Sequence, residues 1–251
     1  TYHVMIQNYH AAIELGANYF LAKPFSMDTL FNLIESYFAG TLKPDPFSLT
    51  SSHQLEHDYC YHPIPSSLTR YMRFWGTRGS NPVSGPDYSR YGGNTSCLEI
   101  RYDNDLVIID AGTGIRGLGD MIDIGDNETV HLFISHTHWD HITGFPFFAP
   151  LYKKNCHIIV WAPIGFEKST KELFTSMLAY AYFPVRLDEM KAQVTFKELR
   201  DNQAVSIGNI VIDAHYVNHP GPTVGFKIQT PNKTVGYVTD NEVLLGYLGH
   251  P

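Results

Sequence analysis

Between residues 136 and 141 the chain reads His136-Thr137-His138-Trp139-Asp140-His141, three imidazoles and a carboxylate in one short run. The run begins where a near-continuous apolar stretch of strand character, Val130–Ser135, ends. Side chains two apart in an extended segment share a face, so His136 and His138 can grip one metal ion. The turn that follows brings Asp140 and His141 round to a second. Imidazole nitrogen and carboxylate oxygen suit borderline divalent metals, zinc first, with manganese and iron as alternatives.

Two more candidates stand at the ends of later strand-like runs. His219 closes Ile210–Val217, and Asp240 closes Val235–Thr239. A carboxylate at such a position can bridge two cations and hold them near the roughly 4 Å spacing that two-metal hydrolases use. Three weaker candidates surround these six. Asp110, at another strand end, is placed to orient His136 or His138 from behind. His215, four residues before His219, reads as a packed or supporting histidine. Arg78, with Asn81 and Arg90, lies in the long loop after the first strand of this region, within reach of a phosphate. Gly112 and Gly114 read as a tight strand-to-helix turn.

The elements that must position these groups are short β-runs separated by Gly-rich turns. Strands are expected at Tyr71–Trp75, Cys97–Tyr102, Leu106–Asp110, Val130–Ser135, His157–Trp161, Val194–Leu199, Ile210–Val217, Val224–Gln229 and Thr234–Thr239. Helices are expected at 114–121, 141–152 and 167–179, and residues 167–190, with Tyr180, Tyr182 and Phe183, suggest a lid. Many strands with intervening helices give a layered α/β domain. Upstream the texture differs. Residues 1–39 read helix, strand, helix, and residues 40–69, with Pro44, Pro46, Pro63 and Pro65, read as a linker whose His53, His57 and His62 have no ligand-like setting.

Composition bounds the function classes. The 251 residues are 43% hydrophobic and 17% charged, an ordinary globular balance. A net charge of −7 excludes a global basic field for recruiting nucleic acid, leaving only local patches. Cys60, Cys97 and Cys156 form neither a disulfide framework nor a metal knuckle, and fit a reducing cytoplasm. No signal peptide or membrane-length apolar run stands out.

From about residue 70 onward the chain resembles the metallo-β-lactamase superfamily. Within it, the closest look is to the phosphodiesterase branch that includes ribonuclease Z and the cyclic-nucleotide phosphodiesterases. Besides the 136–141 motif, the carrying segments are Trp75–Pro82 (WGTRGSNP), Gly92–Cys97 (GGNTSC), Asp110–Gly114 (DAGTG) and Gly144–Pro146 (GFP). The resemblance implies an αββα sandwich over 70–251, with its last segment missing. It implies two divalent ions, one held by His136, His138 and His219, the other by Asp140 and His141, with Asp240 bridging. It further implies that a metal-bridging hydroxide attacks a phosphodiester, cyclic-nucleotide or RNA-like, with Asp140 taking a proton. A last ligand histidine is expected some tens of residues beyond Asp240, past Pro251, and His250 is not assigned that role. A lactam or thioester hydrolase of the same superfamily is the competing enzyme reading, and a non-catalytic signalling output module the competing non-enzyme one.

The segment Gly16–Phe25, carrying Lys23-Pro24 after a short strand, resembles the end of a response-regulator receiver domain. That implies a lysine facing a phosphorylated aspartate upstream of Thr1, a histidine-kinase partner, and a hydrolase gated by phosphorylation.

Overall fold

The computed structural model of the chain describes residues 67–124, 128–164 and 168–242. The receiver-like segment, most of the proposed linker and His250 lie outside the described residues. Among those described, no helix is long and apolar enough to cross a membrane.

Among the described residues, ten strands form two sheets. The larger runs in the order β1 (Arg70–Gly76), β2 (Cys97–Tyr102), β3 (Asp105–Ile109), β4 (Thr129–Phe133), β5 (His157–Pro163), β6 (Gln193–Leu199). Its first three strands pair antiparallel and the rest parallel. The smaller sheet is wholly antiparallel, in the order β10 (Thr234–Tyr237), β9 (Val224–Gln229), β8 (Ile210–Tyr216), β7 (Gln203–Ile207).

Period-two alternation sorts the core into two layers. Leu106 and Ile108 of β3, Val130 and Leu132 of β4, and Ile158 and Val160 of β5 face one way. There they meet Ile115 and Leu118 of helix α1 (Gly114–Met121), Phe145, Phe148 and, from helix α3 (Thr170–Met177), Phe174. Val107, Ile109, Phe133 and Trp161 face the other way, against Ile212, Ala214, Phe226 and Ile228 of the small sheet. The result is helices on sheet on sheet, the α/β layering expected. Burying both faces of β3–β5 explains why those strands read as continuous apolar runs.

Three elements differ from the sequence expectation. The helix expected over 141–152 is a single turn, α2 (Trp139–Ile142), followed by 3-10 turns at Phe145–Phe147 and Ala149–Tyr152. Pro146 and Pro150, each lacking an amide donor, break a continuous ladder into short pieces. Strand β7 was not among the expected strands; it is a five-residue edge strand that sends Val205 and Ile207 to the core and pairs with β8 across a turn that Gly208 opens at φ 53. Helix α3 is shorter than 167–179, starting at the capping box of Ser169 and Glu172. The segment read as a lid is pinned at both ends of its apolar face, by Phe174 against Phe145 (4.7 Å between ring centres) and Phe183 against Phe147 (5.6 Å).

Candidate metal centre

All six principal candidates sit at carboxyl ends of strands or in the turns just beyond them. His136 and His138 follow β4, Asp140 and His141 lie in α2, His219 follows β8, and Asp240 follows β10. These residues come from both sheets, so the sandwich itself brings them together. Ligand atoms of His136, His138, His219 and Asp240 converge within 4.8 Å, and so do those of Asp140, His141 and Asp240. Asp240 belongs to both groups. Its Oδ2 is 3.6 Å from His136 Nε2, 3.6 Å from His141 Nε2 and 3.7 Å from His219 Nε2. His219 Nε2 is 3.0 Å from His138 Nδ1.

A hydrogen-bond chain fixes which ring nitrogens face inward. Asp110 is wholly buried and, ionised, can only accept. It accepts from His141 Nδ1 (2.7 Å), the Ser135 amide (2.8 Å), Ser135 Oγ (3.0 Å) and Ser96 Oγ (3.0 Å). His141 therefore carries its shared proton on Nδ1 and turns Nε2 toward Asp140 and Asp240. Ser135 Oγ, its proton committed to Asp110, accepts from His136 Nδ1 (3.1 Å), which turns His136 Nε2 inward as well. Burial pushes the His141 ring toward neutrality, but the charge and hydrogen bond of Asp110 overcome it and raise the group to about 10. Burial and the neighbouring charge of His141 hold His136 low. The Asp240 carboxyl, though burial opposes it, is kept well below the ordinary range by the hydrogen bond and charge of His141.

The donor set fits divalent cations. His136 Nε2 is buried with no hydrogen-bond partner among the described residues, an expensive arrangement for a polar atom without a further ligand. Glu242 Oε1 approaches His219 Nδ1 to 3.4 Å, an ion-pair contact longer than a well-formed hydrogen bond. Ligands about 2.0–2.1 Å from a tetrahedral zinc ion lie about 3.3 Å from one another. The 3.0–3.7 Å separations around His136, His138, His219 and Asp240 span that value.

The weaker candidates fare differently. Asp110 does support the cluster, but it bonds His141 directly and His136 only through Ser135; it does not contact His138. Its backbone takes the left-handed region at φ 64, which lets the carboxylate turn back under the motif. Gly112 is required for close approach rather than for turn geometry. A Cβ there would lie 2.3 Å from the Asp140 carbonyl oxygen and 2.5 Å from Thr95 Oγ1. The adjoining Ala111 amide donates to the His141 carbonyl at 2.7 Å, and the Gly144 amide to the Ala111 carbonyl at 2.8 Å. Arg78 is held within its own loop, donating to the Asn81 carbonyl at 3.0 Å and lying over the Tyr88 ring. His215 points to the face of β8 opposite Ile212 and Ala214 and is not among the converging groups.

Sequence reasoning missed Ser80, Ser96, Ser135, Tyr237 and Glu242. The Ser80 amide donates to Asp140 Oδ2 at 2.6 Å, from a left-handed turn at φ 67. Tyr237 Oη lies 3.3 Å from Ser96 Oγ, and burial and the charge of Asp110 push its phenol upward. The signal for Ser135 was its place between β4 and His136, and Ser80 and Ser96 lie in the quoted segments Trp75–Pro82 and Gly92–Cys97 without having been singled out there; Tyr237, which reaches Ser96 from the other sheet, and Glu242 have no local signature.

The profile of a family described as the β-lactamase superfamily domain matches residues 106–247. The chain belongs to this superfamily. Among curated relatives, the ribonuclease Z of Haloarcula marismortui is 29% identical over 134 residues, covering 50% of this chain and 39% of that protein. The ribonuclease Z of Staphylococcus aureus strain MSSA476 is 26% identical over 150 residues, covering 56% and 45%. The chain thus spans less than half the length of these relatives. The metallo-β-lactamase fold protein YhfI from Bacillus subtilis matches with a TM-score of 0.49 at 16% identity, covering 66% of this chain and 59% of that one. The short form of human tRNase Z matches at 0.47 and 16%, covering 66% and 67%. Divalent metal ions are what this superfamily's fold implies, and the His/Asp cluster supplies donors for them.

Proposed function

We propose that this β-lactamase superfamily chain is a dinuclear metal-dependent phosphodiesterase acting on a nucleotide or RNA-like diester. The carrying observation is the sharing of Asp240 between two converging donor groups. In this reading His136, His138 and His219 would hold one ion and Asp140 and His141 the other, with Asp240 available to both, and zinc would be the metal best matched to nitrogen and carboxylate donors. The bound ions would supply Lewis acidity and a nucleophile at neutral pH. The chain's own residues do the rest. Asp110 and Ser135 fix the ring orientations of His141 and His136. Asp140 Oδ2, anchored by the Ser80 amide, takes the proton of the attacking water. The ribonuclease Z relatives favour a phosphodiester over a lactam or thioester as the scissile group.

Metal analysis and a side-by-side assay test this. Bis-p-nitrophenyl phosphate and a cyclic nucleotide should turn over in a chelator-sensitive way, and turnover of nitrocefin or a thioester alone would sink the reading. The domain division at residues 39 and 69, a cytoplasmic location and a gating receiver piece around Lys23-Pro24 complete the proposal. In a protein carrying this segment within an intact receiver domain, acetyl phosphate should change turnover, whereas an unchanged rate argues against gating and against a kinase partner.

A further inference from the structure

Trp139 stands between two cluster residues, His138 and Asp140, yet its side chain is 82% exposed. Large apolar side chains beside a functional centre are ordinarily packed, and an indole left in water there exposes a broad aromatic face for a ligand. It is not alone. Trp139, Thr143 and Phe147 are all exposed, the first two at the start and C-cap of the single α-turn and Phe147 on the 3-10 turn that follows. The Thr143 amide and hydroxyl both bond the Trp139 carbonyl, fixing the turn that carries Trp139. Phe147, 52% exposed, is braced from the side by Phe183 at 5.6 Å. Tyr182, 81% exposed, adjoins Phe183 in the same turn.

We propose that Trp139 is the stacking platform for the nucleobase flanking the scissile phosphate, and that Phe147 receives a base further along a single strand. This rests on the phosphodiesterase reading and narrows its substrate to base-bearing strands. Eight positions apart, Trp139 and Phe147 are separated by roughly 12–16 Å along these turns, too far to share one base. Stacking also resolves the charge problem. A chain of net charge −7 gains little from counterion release, whereas base–aromatic stacking is indifferent to net charge and tolerant of sequence.

The test uses the zinc-loaded chain and two phosphorothioate-linked decamers, one of adenylate and one with abasic residues. The other two tryptophans, Trp75 and Trp161, are 5% and 9% exposed, so ligand quenching of indole emission reports on Trp139. The adenylate decamer should quench emission and bind about tenfold more tightly than the abasic one, by anisotropy of a terminal label. Trp139→Ala should remove both the quench and most of that preference at unchanged metal content. Trp139→Phe should lose the quench and keep the preference. Phe147→Ala should weaken the decamer about threefold without weakening adenosine monophosphate. Equal affinity of the wild type for the two decamers overturns the proposal and needs no variant, as does full preference in Trp139→Ala. Hydrolysis of bis-p-nitrophenyl phosphate without any base preference removes the platform alone, whereas base preference without diester hydrolysis removes the phosphodiesterase reading alone.

Discussion

The candidate centre has two halves assembled on different principles. His136 and His141 are almost completely buried, and Asp110 and Ser135 beneath them satisfy their outer nitrogens. His138, His219, Asp240 and Glu242 come from loops, retain exposure, and reach one another mainly across the centre itself. Folding alone thus preassembles the buried half. The open half approaches the right positions, but its ring nitrogens and the Asp240 carboxylate face one another across a centre that a cation would fill. The halves should therefore respond oppositely to mutation: the buried one through stability, the open one through metal affinity.

The largest effect should come from Asp110→Ala. It deletes the acceptor for His141, Ser135 and Ser96 at once and leaves a buried imidazole without its counter-charge. Breaking such a buried pair costs about 3–5 kcal/mol, so urea unfolding of the metal-free protein should show a loss of that size. His219→Ala is the complementary experiment. Its metal-free stability should change by less than about 1 kcal/mol, while zinc affinity measured by chelator competition should fall by more than the ~100-fold that losing a supporting residue can cost. Comparable stability losses in the two variants would erase the distinction between the halves.

Gly112→Ala probes how rigidly the buried half is seated. The new methyl would press on the Asp140 carbonyl and on Thr95 Oγ1, both held by surrounding structure. Overpacking of this kind costs about 1–3 kcal/mol. The expected outcome is a matching drop in unfolding free energy together with weakened metal binding, since Asp140 is the residue displaced. A stable variant with intact metal affinity would mean that the loop yields.

The two halves were also unequally legible in the sequence. His136, His138, Asp140 and His141 are local: one strand end and one turn place all four, and period-two reasoning suffices. His219 and Asp240 could be chosen because each ends a recognisable β-run. What joins them is the face-to-face packing of two sheets, through Ile109 and Phe133 against Phe226, and that leaves no trace in spacing. The same limit explains the supporting groups. Asp110 was recognised as a strand-end acid, but its partner could not be, because the left-handed turn at Asp110 redirects the carboxylate to His141. Ser80 lies in the quoted Trp75–Pro82 segment, but its role is carried by a backbone amide, which residue type does not reveal, and Glu242 lies outside any periodic element. Among elements, the long helix expected after the motif failed where Pro146 and Pro150 outweighed an apolar pattern, and β7 escaped notice because a five-residue edge strand with Val205 and Ile207 as its inward side chains is too short a pattern to stand out.

Glu242→Gln should give the smallest effect and the sharpest discrimination. Glu242 Oε1 lies 3.4 Å from His219 Nδ1, and a carboxylate there favours the tautomer that leaves Nε2 free to face Asp240 and His138. The amide keeps the shape but loses the charge. Because this contact sits at the partly exposed edge of the open half, the metal-free protein should unfold within about 0.5 kcal/mol of the wild type. Zinc affinity should nevertheless fall about tenfold, the lower end of what a group behind a ligand histidine contributes. A stability loss approaching that of Asp110→Ala would show that the open half, too, is held by the fold before any ion arrives; unchanged zinc affinity would remove Glu242 from the centre and leave His219 oriented by its loop alone.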